Sequence, residues 1–162
     1  MSLLLAAMLT QAAHAKDVLH ITTAHDWSQR LSRNAGEMGS TFKVDVGYGK
    51  GIGIGKLIPE VGIGLAYNRG VIIPRVGLRA VLGWVIQPGA YAHVNAALAG
   101  PFGAATGFDT GVTLHLQLPY IRVGGFAGVQ FFGGRTGPDI PDRNAAAGLE
   151  LIFALPINRD KS

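Results

Sequence analysis

Between Phe108 and Phe131 the chain alternates apolar and polar residues one by one. Phe108, Val112, Leu114, Leu116 and Leu118 fall on even numbers, and Asp109, Thr113, His115 and Gln117 on odd ones. After Pro119-Tyr120 the parity reverses, so that Ile121, Val123, Val129 and Phe131 alternate with Arg122, Gly124 and Gln130. Strict alternation is the mark of a half-buried strand. A two-residue connection pairs residues whose numbers sum to an odd value, which carries one continuous apolar face through the parity change. The stretch therefore reads as a long antiparallel hairpin, with Gln117 opposite Arg122 and Asp109 opposite Gln130.

The same rhythm fills the chain from Thr41 to Leu155. Phe42, Val44 and Val46 alternate with Lys43, Asp45 and Gly47, and beyond Tyr48-Gly49-Lys50 the residues Ile52 and Ile54 alternate with Gly51, Gly53 and Gly55. Parity fits either a hairpin turned at 48–50 or one strand from 41 to 55. Around Pro59 it changes, giving Val61, Ile63, Leu65 and Tyr67 against Glu60, Gly62, Gly64 and Ala66. A strand over 74–86 sets Val76, Leu78, Leu82 and Trp84 against Arg75, Gly77 and Arg79, and Gln87-Pro88-Gly89 closes it. Ala92, Val94 and Leu98 then oppose Tyr91, His93 and Asn95, and in the last strand Leu149, Leu151, Phe153 and Leu155 oppose Glu150 and its even-numbered neighbours. Counting 41–55 as two strands gives about eight. Short connections at 58–59, 87–89 and 119–120 alternate with longer ones at 68–73, 100–106 and 133–144.

One stretch departs from this rhythm. Over Thr23–Met38 the residues Trp27, Leu31, Ala35 and Met38 recur at helical spacing, with Thr23 or Asp26 as N-cap and Gly39 as stop. A short amphipathic helix is expected there, within an N-terminal periplasmic segment 16–40 that precedes a barrel over 41–156 and a tail over 157–162. The helix either packs on the domain or lies at a membrane surface with Trp27 among headgroups and Arg30 and Arg33 toward phosphates. Residues 1–15, an apolar run ending in Ala13-His14-Ala15, read as a signal peptide cleaved before Lys16, although the usual basic n-region is missing.

Composition turns the pattern toward a membrane. Hydrophobic residues make up 48% of the chain and charged ones 15%, against roughly 25% charged in soluble domains. No apolar run approaches the roughly 18 residues of a membrane helix, so a membrane protein of this sequence has to be a barrel. The net charge of +4 is scattered rather than clustered, which argues against nucleic acid as a partner. Lys43, Asp45, Glu60, Arg75, Arg79, Asp109, Arg122 and Glu150 all fall on the polar face; Lys56 shares the apolar one beside a turn. Phe42, Tyr48, Tyr67, Trp84, Phe108, Tyr120, Phe131 and Phe153 gather near strand ends, as membrane-interface aromatics do. Turned inside out, the same alternation describes a secreted soluble barrel binding an apolar ligand in a cavity lined by the aliphatic residues.

In its alternation, its aromatic placement and its short-long connections, the stretch 41–155 resembles small bacterial outer-membrane β-barrel proteins. The resemblance implies an all-β, antiparallel up-and-down membrane β-barrel of about eight strands in the outer membrane. Its partners would be the lipid bilayer and the outer-membrane assembly machinery. Such barrels usually finish on an aromatic residue read by that machinery, whereas here Phe153 is followed by Ala-Leu-Pro-Ile-Asn-Arg-Asp-Lys-Ser. A barrel this narrow is filled by its own side chains. The charged residues of the polar face, with His93, Asn95, His115, Gln117 and Gln130, are therefore expected to form a lumen network, since buried charges must be paired. Gly51, Gly53, Gly55, Gly62, Gly64 and Ala66 leave room along one wall for a small path or ligand hollow. Some relatives in this class are lipid-modifying enzymes using Ser with His, but Ser2, Ser28, Ser32, Ser40 and Ser162 fall outside the expected strands. No catalytic residue, cofactor or metal ligand is assigned. The expected role is structural or interaction-bearing, with a narrow pore as a variant; the loop 133–144 is expected to be a solvated connection, with partner binding as the alternative.

Overall fold

The computed structural model describes residues 17–31, 38–52, 54–67, 69–99, 103–134 and 143–157. Eight antiparallel strands close into one barrel in chain order. They are β1 (Asp17–Arg30), β2 (Met38–Ile52), β3 (Gly55–Ala66), β4 (Val71–Leu82), β5 (Ile86–Ala99), β6 (Gly103–Leu118), β7 (Ile121–Gly134) and β8 (Arg143–Pro156). β1 pairs with both β2 and β8, so the sheet has no edge. At one end the connections take two or three residues, at 53–54, 83–85 and 119–120, and this end also carries the first residue of β1 and the last of β8. At the other end lie 31–37, 67–70, 100–102 and 135–142.

The register fixes the shape. Paired residues lead from His20 through Gly47, Glu60, Gly77, His93, Asp109, Gln130 and Asn144 back to β1 at Arg30. The circuit gains 30 − 20 = 10 residues of stagger, or 10/8 = 1.25 residues per strand. Eight strands so staggered tilt by about 40°. A strand of 12 residues such as β4, at about 3.3 Å per residue and that tilt, covers about 30 Å along the axis, the thickness of a bilayer's hydrocarbon core.

Residues 23–30, expected to be helical, belong to strand β1. The even residues His20, Thr22, Ala24, Asp26 and Ser28 are buried inside, while Trp27 is 46% exposed outside. Thirteen pairs to β2 and thirteen to β8 hold the strand extended, and that pairing outweighs the weak helical spacing of its side chains. The barrel thus begins at Asp17 rather than at Thr41. The signal-peptide reading of 1–15, residues 32–37 with Arg33 and Ala35, and the tail 158–162 lie outside the described residues.

Three expected connections, two of them placed on proline, sit elsewhere. Residues 38–52 form one strand, so 48–50 is no turn, and Pro59 and Pro88 lie within β3 and β5. Proline lacks the N–H that a ladder needs, and the ladder lapses beside two of the prolines. The β2–β3 pairs skip from Gly47↔Glu60 to Lys50↔Leu57 around Pro59, and the β4–β5 pairs skip from Ile72↔Leu98 to Arg75↔Asn95 around Pro74, each resuming in register. The turns at 53–54 and 83–85 take over, the second with Gly83 at φ 87°, a conformation that suits glycine. Moving the first turn to 53–54 also moves Lys56. It pairs with Gly51 on the inner-face parity, not on the apolar face.

Candidate functional site

The wall is inverted relative to a soluble protein. Val46, Val61, Ile63, Val76, Leu78, Val94, Val112, Leu114, Leu116 and Leu149 are exposed on the outside, while Lys43, Asp45, Glu60, Arg75, Arg79, His93, Asn95, Asp109, His115, Gln117, Arg122, Gln130 and Glu150 are buried inside. Buried within a closed barrel, these polar side chains point into the lumen. On the outer face of the described strands, Asp, Glu, Lys and Arg occur only near strand ends, as Asp17, Lys50 and Arg143. Some outer hydroxyls turn back onto the backbone. Thr110 donates to the carbonyl of Tyr91 at 2.9 Å and Ser40 to that of Asp26 at 3.3 Å, bonds that matter where no water competes. The cavity that a soluble apolar-ligand carrier would need is occupied by charged groups, and the aliphatic residues assigned to line it face outward.

The middle of the lumen holds a connected chain of ion pairs drawn from six strands. Arg75 Nε lies 3.0 Å from Asp45 Oδ1 and its Nη1 3.5 Å from Asp109 Oδ2. Asn95 donates to Asp109 at 3.2 Å. His93 links Asp109, at 3.2 Å from Nδ1, to Glu60, at 2.5 Å from Nε2. Arg79 then bridges two carboxylates, Glu60 through Nε at 3.2 Å and Glu150 through Nη1 at 2.9 Å, and His115 contacts Glu150 at 2.9 Å. Lys43 pairs with Asp26, and its ammonium stands 5.0 Å from the ring centre of Phe126. Below this chain Arg122 Nε donates to Gln117 at 2.7 Å, and Gln87 joins Gln117 at 3.3 Å. Ala66, Val71, Ile73, Ala97, Ala105 and Phe132 form an apolar cluster at the long-loop end.

Glycines set the packing of these groups. A Cβ at Gly62 would run into Asp45, and one at Gly111 or Gly128 would lie 2.7 or 2.5 Å from the Tyr91 hydroxyl. Gly62, one of the residues expected to leave a ligand hollow, instead makes room for the partner of Arg75. The lumen residues that sequence reasoning missed are His20, Thr22, Asp26, Ser28, Thr41, Gln87 and Asn144, all buried. Most lie in β1 or beside a misplaced boundary.

The aromatics expected at membrane interfaces all point outward. Trp27, Phe42, Tyr67, Phe108 and Phe131 ring the long-loop half, with Phe108 and Phe131 stacked at 4.9 Å, and Tyr48, Trp84, Tyr120 and Phe153 ring the short-turn half. Two serines expected outside the strands are in them, Ser28 in β1 and Ser40 in β2. Ser40 Oγ lies 3.4 Å from His25 Nε2, which is also 3.2 Å from the Tyr67 hydroxyl. No carboxylate is paired with His25 among the described residues, so this contact lacks the group that orients a catalytic base.

No family model matches the sequence, and neither does any curated protein. Solved structures do match in shape. The crystal structure of Neisserial surface protein A (NspA) superposes with a TM-score of 0.57 at 14% identity, over 86% of this chain and 97% of that one. The fold is that of a transmembrane β-barrel. A de novo designed transmembrane β-barrel superposes with a TM-score of 0.53 at 11% identity, over 85% of this chain and 95% of the design. At these identities the likeness is one of architecture.

Proposed function

We propose that this chain is an integral β-barrel of the bacterial outer membrane with a structural or interaction-bearing, non-enzymatic role. The observation that carries the reading is the inverted wall: aliphatic side chains outside, ion pairs inside, and charge on the outer face only near strand ends. Such a surface is stable against hydrocarbon and not against water. The short-turn end and both chain ends would then face the periplasm, and the longer connections, 135–142 among them, would face outward to meet a partner. Assembly machinery of the outer membrane would insert the barrel, and the surface location of NspA supports the same orientation. The Glu60–Arg79–Glu150 bridge across the middle of the lumen argues for a closed barrel over a narrow pore.

Expression in a Gram-negative host with a tag in the 135–142 loop tests this. The protein should sediment with the outer membrane, resist extraction by alkaline carbonate, and expose the tag to antibody on intact cells. Recovery in the soluble periplasmic fraction would refute the proposal.

A further inference from the structure

Each inner carboxylate has a basic partner in the middle tier: Asp26 has Lys43, Asp45 and Asp109 have Arg75, and Glu60 and Glu150 have Arg79. Arg122 has none. Its side chain is 0% exposed, and its single partner among the described residues is the carboxamide of Gln117 at Nε; neither Nη1 nor Nη2 has one. His20 is 1% exposed, and among the described residues neither of its ring nitrogens, nor Nδ1 of His115, has a partner. Allowing for the climb of 1.25 residues per strand, His20, His115 and Arg122 stand at one height in the lower lumen. The basic side chains that bear on His20 are Arg122, Lys56, Arg79 and His115, and Arg122 also bears on Lys56. Val18, Ile58, Val81 and Ile152 pack around this level and are buried.

A buried guanidinium with unmet N–H groups and no carboxylate is costly. An anion between its Nη atoms and a ring N–H offsets both the charge and the donors. We propose that the lower lumen binds one small anion of halide size, held by the Nη groups of Arg122 and a ring N–H of His20. Buried Val18, Ile58, Val81 and Ile152 at this level favour a small anion over an organic one, and the donors come from β1 and β7, which are brought together only when the barrel closes. Such an anion is a structural ligand that seals the periplasmic half of the lumen.

The test uses the full chain folded in detergent, with bromide as probe. The thermal unfolding midpoint is followed as sodium bromide replaces sodium gluconate at constant ionic strength. The wild type should show a saturable rise of several degrees, and Arg122→Gln should lose the saturable component. His20→Gln, which keeps the arginine, should raise the half-saturating bromide concentration severalfold and serves if the arginine variant does not fold. Crystals grown in bromide should show an anomalous peak beside the Arg122 Nη atoms. Equal midpoints in bromide and gluconate with no such peak, or a saturable rise retained in Arg122→Gln, would overturn the proposal and leave a tier filled by water.

Discussion

Replacing Val61 with arginine should cost the barrel about 2–4 kcal/mol in a bilayer, the range for a cation on the lipid face near the midplane. Val61 is the seventh residue of the twelve in β3 and is 61% exposed. Its neighbours across both ladders are Val46 and Val76, themselves 44% and 58% exposed, so the new guanidinium would have no acid within reach on that face. On the surface of a soluble protein the same exchange would fall within about 0.5 kcal/mol of neutral. Urea unfolding of wild type and Val61→Arg in lipid vesicles measures the difference. A control at Lys50→Arg, near the short-turn end, should stay near neutral. A neutral result at Val61 would mean that the aliphatic face does not meet hydrocarbon.

Replacing Arg79 with methionine should cost about 3–5 kcal/mol, the penalty for leaving buried charge without its partner. The guanidinium makes four contacts between 2.9 and 3.3 Å to Glu60 and Glu150 and spans the lumen from β4 to β3 and β8. His93 and His115 stay beside the two carboxylates, which should hold the loss toward the lower end. Arg79→Lys keeps the charge but presents one point donor in place of a planar fork, so it should fall between wild type and methionine. The same vesicle unfolding experiment ranks the three. A loss below about 1 kcal/mol for the methionine variant, as for an exposed pair, would show that water reaches these carboxylates.

Much of this architecture was legible in the alternation. The hairpin of β6 and β7 was readable down to its pairs, Gln117 with Arg122 and Asp109 with Gln130, because a parity change across a two-residue turn allows one register. The charged lumen residues of β2 to β8 between Lys43 and Glu150, Lys56 apart, were legible for a similar reason: a charge between two aliphatic residues points away from both. β1 was hidden because its outer face carries Thr23 and His25 among Leu19, Ile21 and Trp27, which dilutes the contrast between faces. Its inner residues are small or polar, and Trp27 and Leu31 happen to be four apart. Closure of the sheet, which no local pattern encodes, makes it a strand. The total of eight came out right although 41–55 was open to division in two, since the strand gained there replaced the one lost at β1.

Proline misled in a consistent way. Pro59 and Pro88 were taken as turn markers, yet each lies inside a strand, and at Pro59 a wall paired on both sides absorbs a local lapse in its ladder. The glycines near 53 and 83 mark the turns instead. That displacement put Lys56 on the wrong face and hid Gln87, and with them part of the basic lower tier. The cluster around Arg122 could not be read from the chain at all, because His20, His115 and Arg122 come from three strands brought to one level only by the stagger of the closed barrel.

The most direct measurement of the central claim is the mobility of the folded chain on a gel, with and without boiling, after refolding in detergent and separately in plain buffer. An inverted barrel should show a boiled-versus-unboiled shift in detergent and should aggregate in buffer. A monodisperse, β-rich protein in buffer alone would contradict the lipid-facing wall on which the account rests.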